Sequence, residues 1–395
     1  MRIQTLERWF ARKHSAESRP RSELRIGIPR VLNIWSTHRF WIALLEALGV
    51  NPRNIVFSSE TSEDQGREYG RGRGAVDCCY PVKCMSGHYG ELIFGQKHKI
   101  DVLLSPMIYT LPSHLHPHVV NSLSCPRVMA GPENIKGGFT KETDVFADQG
   151  ILYLAPLASL AEPLILPKQL HPELQRIFPD LTIQETRKAV EKGYAALADF
   201  NQSIRVASRE ILAACVRTNK PAILVLARPY HLDPGIGHEI ETDLQAYGYP
   251  IVWGQYLPLD EDLLDWMFAV EVQRGEIRSP LDIHDVWPSS YSGNTNEILW
   301  AAKFAARFPW ITCVIRLTSY ECGMDQPTYT PVQKIVEGSG TLFFSFGDLD
   351  ATKQAGSVKI RVETVAYYLE RSSADIIARK KLRTEAPFPL LNRAV

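Results

Sequence analysis

Short apolar runs that break off into Gly- or Pro-containing loops recur along this chain, with helical segments between them. That alternation constrains the fold more than any other feature, because it is the pattern of a parallel sheet covered by helices. LRIGIPR (24–30) reads as a buried strand ending in a Gly/Pro loop; a helix is expected from about Ser36 to Leu48, and NIVFSS (54–59) gives a second strand. DVLLSP (101–106), CPRVMAGPE (125–133) and ILYLAPL (151–157) continue the series. From 166 to 219 charged and apolar residues alternate at helical spacing, with no Pro and one Gly through ETRKAVEKGYAALADFNQSIRVASREILAACVR. Strand patterns then restart with PAILVLARPYH (221–231), PIVWGQ (250–255), ITCVIRL (311–317) and TLFFSFG (341–347).

The fold expected is α/β, with two Rossmann-like parallel-sheet domains joined by a long helix. The first spans 25–165 and carries Cys79 and Cys125; 166–220 is a helical bridge; the second spans 221–350 and carries Cys322. Residues 1–24 form an N-terminal arm, amphipathic around Leu6, Trp9 and Phe10, and 351–395 a helical tail. A chain of 395 residues is too long for one ordinary core. In open parallel sheets ligands sit at the carboxyl ends of the strands, and the unusual loops here follow strands. If the two sheets face each other, GIPR, CPRVMAGPE, ARPYH and TSYECGMD converge on one cleft at the domain interface.

Lys plus Arg and Asp plus Glu both number 44, so nothing in the charge balance points to nucleic acid or an acidic membrane. No apolar run approaches the roughly 18 residues that span a bilayer, and the basic N-terminus lacks the core of an export signal. A cytoplasmic protein is expected, its seven cysteines reduced. DCCYPVKCMSGH (77–88) puts Cys78, Cys79 and Cys84 in an expected loop, Cys125 opens CPR, and Cys322 lies in ECGMD. Each could be a buried small hydrophobe, the reading preferred for Cys215 and Cys313. Loop placement favours ligation for Cys79, Cys125 and Cys322. Thiolates select zinc or iron–sulfur centres. The spacing matches neither zinc knuckles nor ferredoxins, but three cysteines dispersed over some ~240 residues suit a cubane with one open iron better than zinc.

At these residues the chain resembles the 2-hydroxyacyl-CoA dehydratase activase-related proteins, in the wider group of 2-hydroxyacyl-CoA dehydratase subunits and double-cubane cluster proteins. The matching stretches are IGIPRVLNIW (26–35), CYPVKCMSGH (79–88), CPRVMAGPE (125–133), ARPYHLDPGIGHEI (227–240), TSYECGMDQ (318–326) and GSVKIRVETV (356–365). The resemblance implies an iron–sulfur cluster at a domain interface and places Cys79, Cys125 and Cys322 on the family's cysteine positions. It also implies a low-potential electron from a separate ATP-hydrolysing activator with its own [4Fe-4S] cluster. That electron would serve reduction of a small substrate or radical dehydration of an acyl-CoA. The chain has no G-x4-G-K-[ST] stretch, so ATP turnover falls to the partner. Cys78 and Cys84 are additions to the single-cluster pattern. A [4Fe-4S] cluster is the main expectation; an [8Fe-9S] double cubane would need a sixth thiolate from Cys313 or Cys215. A homodimer is the family-like expectation.

Around the cysteines, Lys83 and His88 are candidates for tuning cluster charge. Arg228 and His231, with Tyr230, Asp233 and His238, are candidates for proton donation or substrate contact, or else for stabilising the strand-end loop. HLHPH (114–118) is expected to be an exposed loop, and GRGRG (70–74) a flexible one. Two other readings stand beside the redox one: a non-catalytic scaffold or cluster-assembly partner, and a zinc–thiolate protein.

Overall fold

The computed structural model describes residues 19–74, 78–95, 99–288, 291–350 and 355–382. The expected N-terminal arm and the segment after Leu382 lie outside the described residues. The chain divides into two compact units. One comprises Met1–Asp77, Val82–Thr110 and Pro126–Ala198; the other comprises Cys78–Pro81, Leu111–Cys125 and Asp199–Val395.

In the first unit β1 (Ile26–Ile28), β2 (Ile55–Phe57), β3 (Val102–Leu104) and β5 (Leu152–Leu154) form a parallel sheet in the order β2-β1-β3-β5. A second parallel pair, β4 (Met107–Thr110) with β6 (Leu157–Ser159), follows β3 and β5 directly. Pro106 and Pro156 sit at the two breaks, where a residue without an N–H interrupts the ladder. Helix α1 (Ile34–Ala47) buries Phe40, Trp41, Leu44 and Leu45 at helical spacing.

The cysteine-rich stretch departs from expectation. Tyr80–Gly90 is a helix, α2, so Cys84 lies on a helix and only Cys78 and Cys79 remain in the loop before it. CPRVMAGPE is not a strand: α3 runs Pro126–Phe139. Proline is preorganised for the first helical position, so Pro126 starts a helix where the apolar VMA suggested a strand. Cys79 and Cys125 thus each stand immediately before a helix. Residues 166–219 hold two helices, α4 (Leu166–Gln175) and α5 (Ile183–Thr218), interrupted around Pro179. A reciprocal cap opens α5: Thr182 Oγ1 accepts from the Glu185 N–H at 3.2 Å, and the Glu185 carboxylate accepts from the Thr182 N–H at 2.9 Å.

The second unit is built on β7 (Ala222–Leu226), β8 (Ile251–Trp253), β9 (Ile311–Ser319) and β10 (Leu342–Leu349), all parallel, in the order β10-β9-β7-β8. Every residue of β7 and β9 is buried, as expected where helices cover both faces. Leu224 and Leu226 enter one core with α6 (Gly293–Arg307), whereas Ile223 and Val225 enter the other with α8 (Ala355–Lys381); α7 (Tyr329–Gly338) lies between them in sequence. Cys215 packs in the first core and Cys313 in the second. Burial pushes the Cys215 thiol up to about 11 and raises that of Cys313 further. Among the described residues no helix is long and apolar enough to cross a membrane.

HLHPH is not an exposed loop at its first histidine. His114 is buried edge-on to Trp300, ring centroids 4.9 Å apart, and neither ring nitrogen has a hydrogen-bond partner. Its Nδ1 lies 3.8 Å from the Glu297 carboxylate on α6. Burial raises Glu297 to about 7, against the opposing influence of Ser113 and Arg205. The following residue, Leu115, enters the core that also holds Trp300 and draws the segment inward.

Two predictions follow from this packing. Buried Lys380 donates through Nζ to the carbonyls of Ala305, Phe308 and Ile311 at 2.6, 3.2 and 2.8 Å, tying α8 to the end of α6 and the start of β9. Lys380→Ala leaves those carbonyls unmatched and should lower the unfolding free energy by about 3 kcal/mol in urea titrations. For Glu297 the folded-state pKa exceeds the unfolded value of about 4.3, so its contribution to stability falls as pH rises from there to about 7. Glu297→Gln removes that limb: its stability relative to the parent should climb by up to about 3 kcal/mol between pH 5 and 8. A pH-independent difference would contradict the assignment.

Candidate functional site

The order β10-β9-β7-β8 contains a reversal. From β7 the chain moves to β8 on one side, and from β9 to β10 on the other. The loops after β7 and β9 therefore leave neighbouring strand ends in opposite directions and open a crevice, the place where open α/β sheets bind ligands. Arg228, Tyr230 and His231 follow β7; Cys322 and Asp325 follow β9.

Both loops are tightly specified. After β7, Pro229–Leu232 makes a 3-10 turn, and the Asp233 carboxylate accepts from the Gly235 N–H at 3.0 Å to start the next turn. Gly237 is obligatory there, because a Cβ would stand 2.1 Å from the His231 carbonyl oxygen. After β9, Glu321 adopts left-handed φ of 60°, a conformation unusual for a side-chain-bearing residue and concentrated at functional sites. The next residue is Cys322, whose carbonyl accepts from the Asp325 N–H at 3.1 Å.

A buried charge cluster joins the two loops. Arg228 Nε donates to Asp325 Oδ1 at 3.0 Å, and its Nη2 lies 3.0 Å from the same oxygen and donates to Thr295 Oγ1 at 3.3 Å. Arg316 Nη2 donates to that oxygen at 3.1 Å and to Thr328 Oγ1 at 3.2 Å. All three charged groups are at most 2% exposed. Burial would raise the Asp325 pKa, but Arg228 and Arg316 outweigh it and hold the carboxyl down at about 2. Two guanidinium groups thus face one carboxylate. Arg316 Nε and Nη1 and Asp325 Oδ2 are buried without a hydrogen-bond partner among the described residues.

Cys322 borders this cluster. Burial and Asp325 raise the Cys322 pKa, with Arg228 opposing. The Tyr230 hydroxyl is pushed well above its usual range by burial and then by Cys322, with Cys79 contributing too. Cys79 and Cys322, 243 positions apart in sequence, therefore act on one tyrosine. Cys78 and Cys125 belong to the same unit. Cys84, Lys83 and His88 belong to the other unit. Among the described residues no group of three or more His, Cys, Asp or Glu side chains is placed to hold a metal ion.

The two histidines are committed to hydrogen bonds. Burial lowers His231 to about 4, so its ring is neutral near pH 7. The Arg228 carbonyl, 3.2 Å from Nδ1, can only accept, so Nδ1 carries the proton and Nε2 accepts from the Ser319 hydroxyl at 3.1 Å. His88, lowered to about 3 by burial and then Arg30, meets Ser58 Oγ at 2.8 Å and Thr61 Oγ1 at 2.9 Å. Lys83 is exposed. His238 Nε2 meets the Asp350 carbonyl at 3.0 Å. Sequence reasoning passed over Arg316 and Asp325. A charged residue inside the apolar run ITCVIRL, with an acid nine positions later, was the available signal.

No curated protein sequence matches the chain. A solved structure of a "putative phosphosugar isomerase" from Bacillus subtilis aligns with 98% of this chain and 95% of its own, at 9% identity and a TM-score of 0.22. A likeness that low carries no argument. Residues 25–257 match the family described as CoA enzyme activase uncharacterised domain (DUF2229). The match runs from β1 past β8 and takes in Cys79, Cys125 and the Arg228–His231 turn. It covers more than half of the chain, which therefore belongs to the CoA enzyme activase uncharacterised domain family.

Proposed function

We propose that this chain is an iron–sulfur redox component of a CoA-enzyme activation system. In this reading Cys79, Cys125 and Cys322 hold a [4Fe-4S] cluster that takes low-potential electrons from an ATP-hydrolysing activator. Family membership links the chain to CoA-enzyme activation. The observation that carries the finer reading is the composition of the second unit. It takes only Cys78–Pro81 and Leu111–Cys125 from the N-terminal half of the sequence, and these bring Cys79 and Cys125 into the unit that contains Cys322.

The charge cluster favours the same chemistry. A buried guanidinium in excess of its carboxylates is costly unless an anion compensates it. Thiolates and the sulfides of a cluster supply such an anion, and Cys322 is already within electrostatic reach of Arg228. Orphaned N–H donors on Arg316 are suited to sulfur or to a small anionic ligand. A cubane places each thiolate on a different iron, so its ligands can be drawn from well-separated points of the chain, as Cys79, Cys125 and Cys322 are. When bound, the cluster would supply one-electron transfer and one iron open to a substrate. The chain's own residues keep the surroundings fixed: Tyr230 and His231 stay uncharged, and Asp325 stays ionised.

Anaerobically isolated protein should be brown and contain about four iron and four sulfide per chain. Cys79→Ser, Cys125→Ser and Cys322→Ser should each lose most of the iron, whereas Cys215→Ser and Cys313→Ser retain it. Colourless protein without iron overturns the proposal, and about eight iron per chain would replace one cubane with two.

Without a cluster, Asp325→Asn leaves two buried arginines unpaired and should cost about 3–5 kcal/mol in denaturant unfolding. Arg316→Met leaves a balanced Arg228–Asp325 pair and should cost clearly less, while reducing retention of iron. Equal losses of stability for the two variants would refute the idea of an uncompensated positive charge.

A further inference from the structure

The carboxyl ends of β9 and β10 hold a second feature that the cysteine reading leaves unused. It is a polar cavity of about 350 Å³, lined by Thr318, Tyr329, Ser345, Gly347, Asp348 and Arg361, with Gln326 at its side. Three of its hydroxyls form a chain: Thr318 Oγ1 lies 2.9 Å from Tyr329 OH, which lies 2.7 Å from Ser345 Oγ.

The backbone is shaped to leave this space open. The ladder between β9 and β10 slips between Phe346 and Leu349, and Asp348 there takes left-handed φ of 61°. Bulges of this kind re-aim side chains beside binding sites. Gly347 stands at the bulge. A Cβ on it would lie 3.3 Å from Tyr329 OH, 3.7 Å from Thr318 Oγ1 and 3.8 Å from Ser345 Oγ, in the middle of the hydroxyl group.

Among the described residues the charged groups that line the cavity are Arg361 and Asp348. Arg361, on α8, lines it and lies 5.9 Å from the Phe346 ring. The Arg316 guanidinium lies 6.0 Å from the centroid of the Tyr329 ring that forms part of the wall. Among the described residues Asp348 is the acidic group of the lining, and Asp325 is already shared by Arg228 and Arg316. An exposed guanidinium, hydroxyl donors and a mainly polar lining select a hydrophilic anion and disfavour an acyl chain.

We propose that this cavity binds a small hydrophilic oxyanion, either a phosphate ester or a hydroxylated carboxylate. Its charged end meets Arg361, and its oxygens engage the hydroxyls of Ser345, Tyr329 and Thr318. The proposal does not rest on the iron–sulfur reading, since among the described residues no cysteine lines the cavity and the site needs no metal.

The test is calorimetric titration of the full-length protein at low ionic strength with inorganic phosphate and, separately, with glycolate. At least one should bind, and the one that does identifies which oxyanion the cavity takes. Arg361→Gln should weaken binding about tenfold or more, through loss of a charge-assisted hydrogen bond. Gly347→Ala should weaken it similarly by filling the space, its φ lying outside the left-handed region. Ser345→Ala should weaken it a few-fold, and because Arg361 and Ser345 are exposed, both variants should melt at the parent temperature. Failure of both probes to bind, or binding unchanged in Arg361→Gln and Gly347→Ala, would overturn the proposal. Iron content plays no part in the readout, so either hypothesis can fail alone.

Discussion

Asp325 held between Arg228 and Arg316 is the interaction on which the second unit's crevice depends. At the reversal between β7 and β9 the two following loops part, and backbone pairing cannot hold them in register. The carboxylate oxygen shared by the two arginines does so instead: Arg228 begins one loop, Asp325 ends the turn of the other, and Arg316 sits on the strand beneath. Buried ion pairs contribute little net stability once desolvation is counted, but they penalise strongly any arrangement that breaks them. That asymmetry suits a site whose geometry must be unique. It positions Cys322 and Tyr230 where, among the described residues, no backbone hydrogen bond joins the two loops.

The electrostatic state of this crevice is also fixed. Asp325 remains ionised down to about pH 2, and His231 remains neutral above about 4. Across the intervening range the positive excess of the cluster does not titrate. A redox centre set against it would experience a constant field, with the cationic side favouring its more reduced, more negative state. His231 is held by the Arg228 carbonyl and the Ser319 hydroxyl, so its contribution is to brace the two loops against each other.

The strands were legible because parallel strands buried on both faces read as continuous apolar runs, and IGI, VLL, AILVL and ITCVIRL needed no context. The 36-residue helix was legible from its period. What failed was local. The apolar VMA of CPRVMAGPE suggested a strand, and CYPVKCMSGH carries Pro and Gly, which usually mark loops, yet Pro126 and Pro81 lie in the first turn of a helix, where the missing N–H costs nothing. The burial of His114 could not be read from HLHPH, because the partner that hides it, Trp300, lies 186 positions away. Arg316 was hidden for the opposite reason: inside a strand it looked like an interruption, and only its distance to Asp325 gives it meaning. Composition and period report on elements, whereas charge pairing across the chain reports on sites, and one sequence displays the first far better than the second.

Arg316 also stands between the crevice and the polar cavity. One end of its guanidinium serves Asp325 and Thr328, and the group as a whole lies near the Tyr329 ring that walls the polar cavity. The segment from Cys322 to Tyr329 therefore has two sides, one toward the thiol and charge cluster and one toward the hydroxyls of the cavity. An anion in the cavity would draw on the same positive charge that surplus thiolate would draw on at Cys322. Two anions competing for one buried cation weaken each other, and by linkage the effect is equal in both directions. Adjacent sites built this way are antagonistic by electrostatics alone, with no change of shape required.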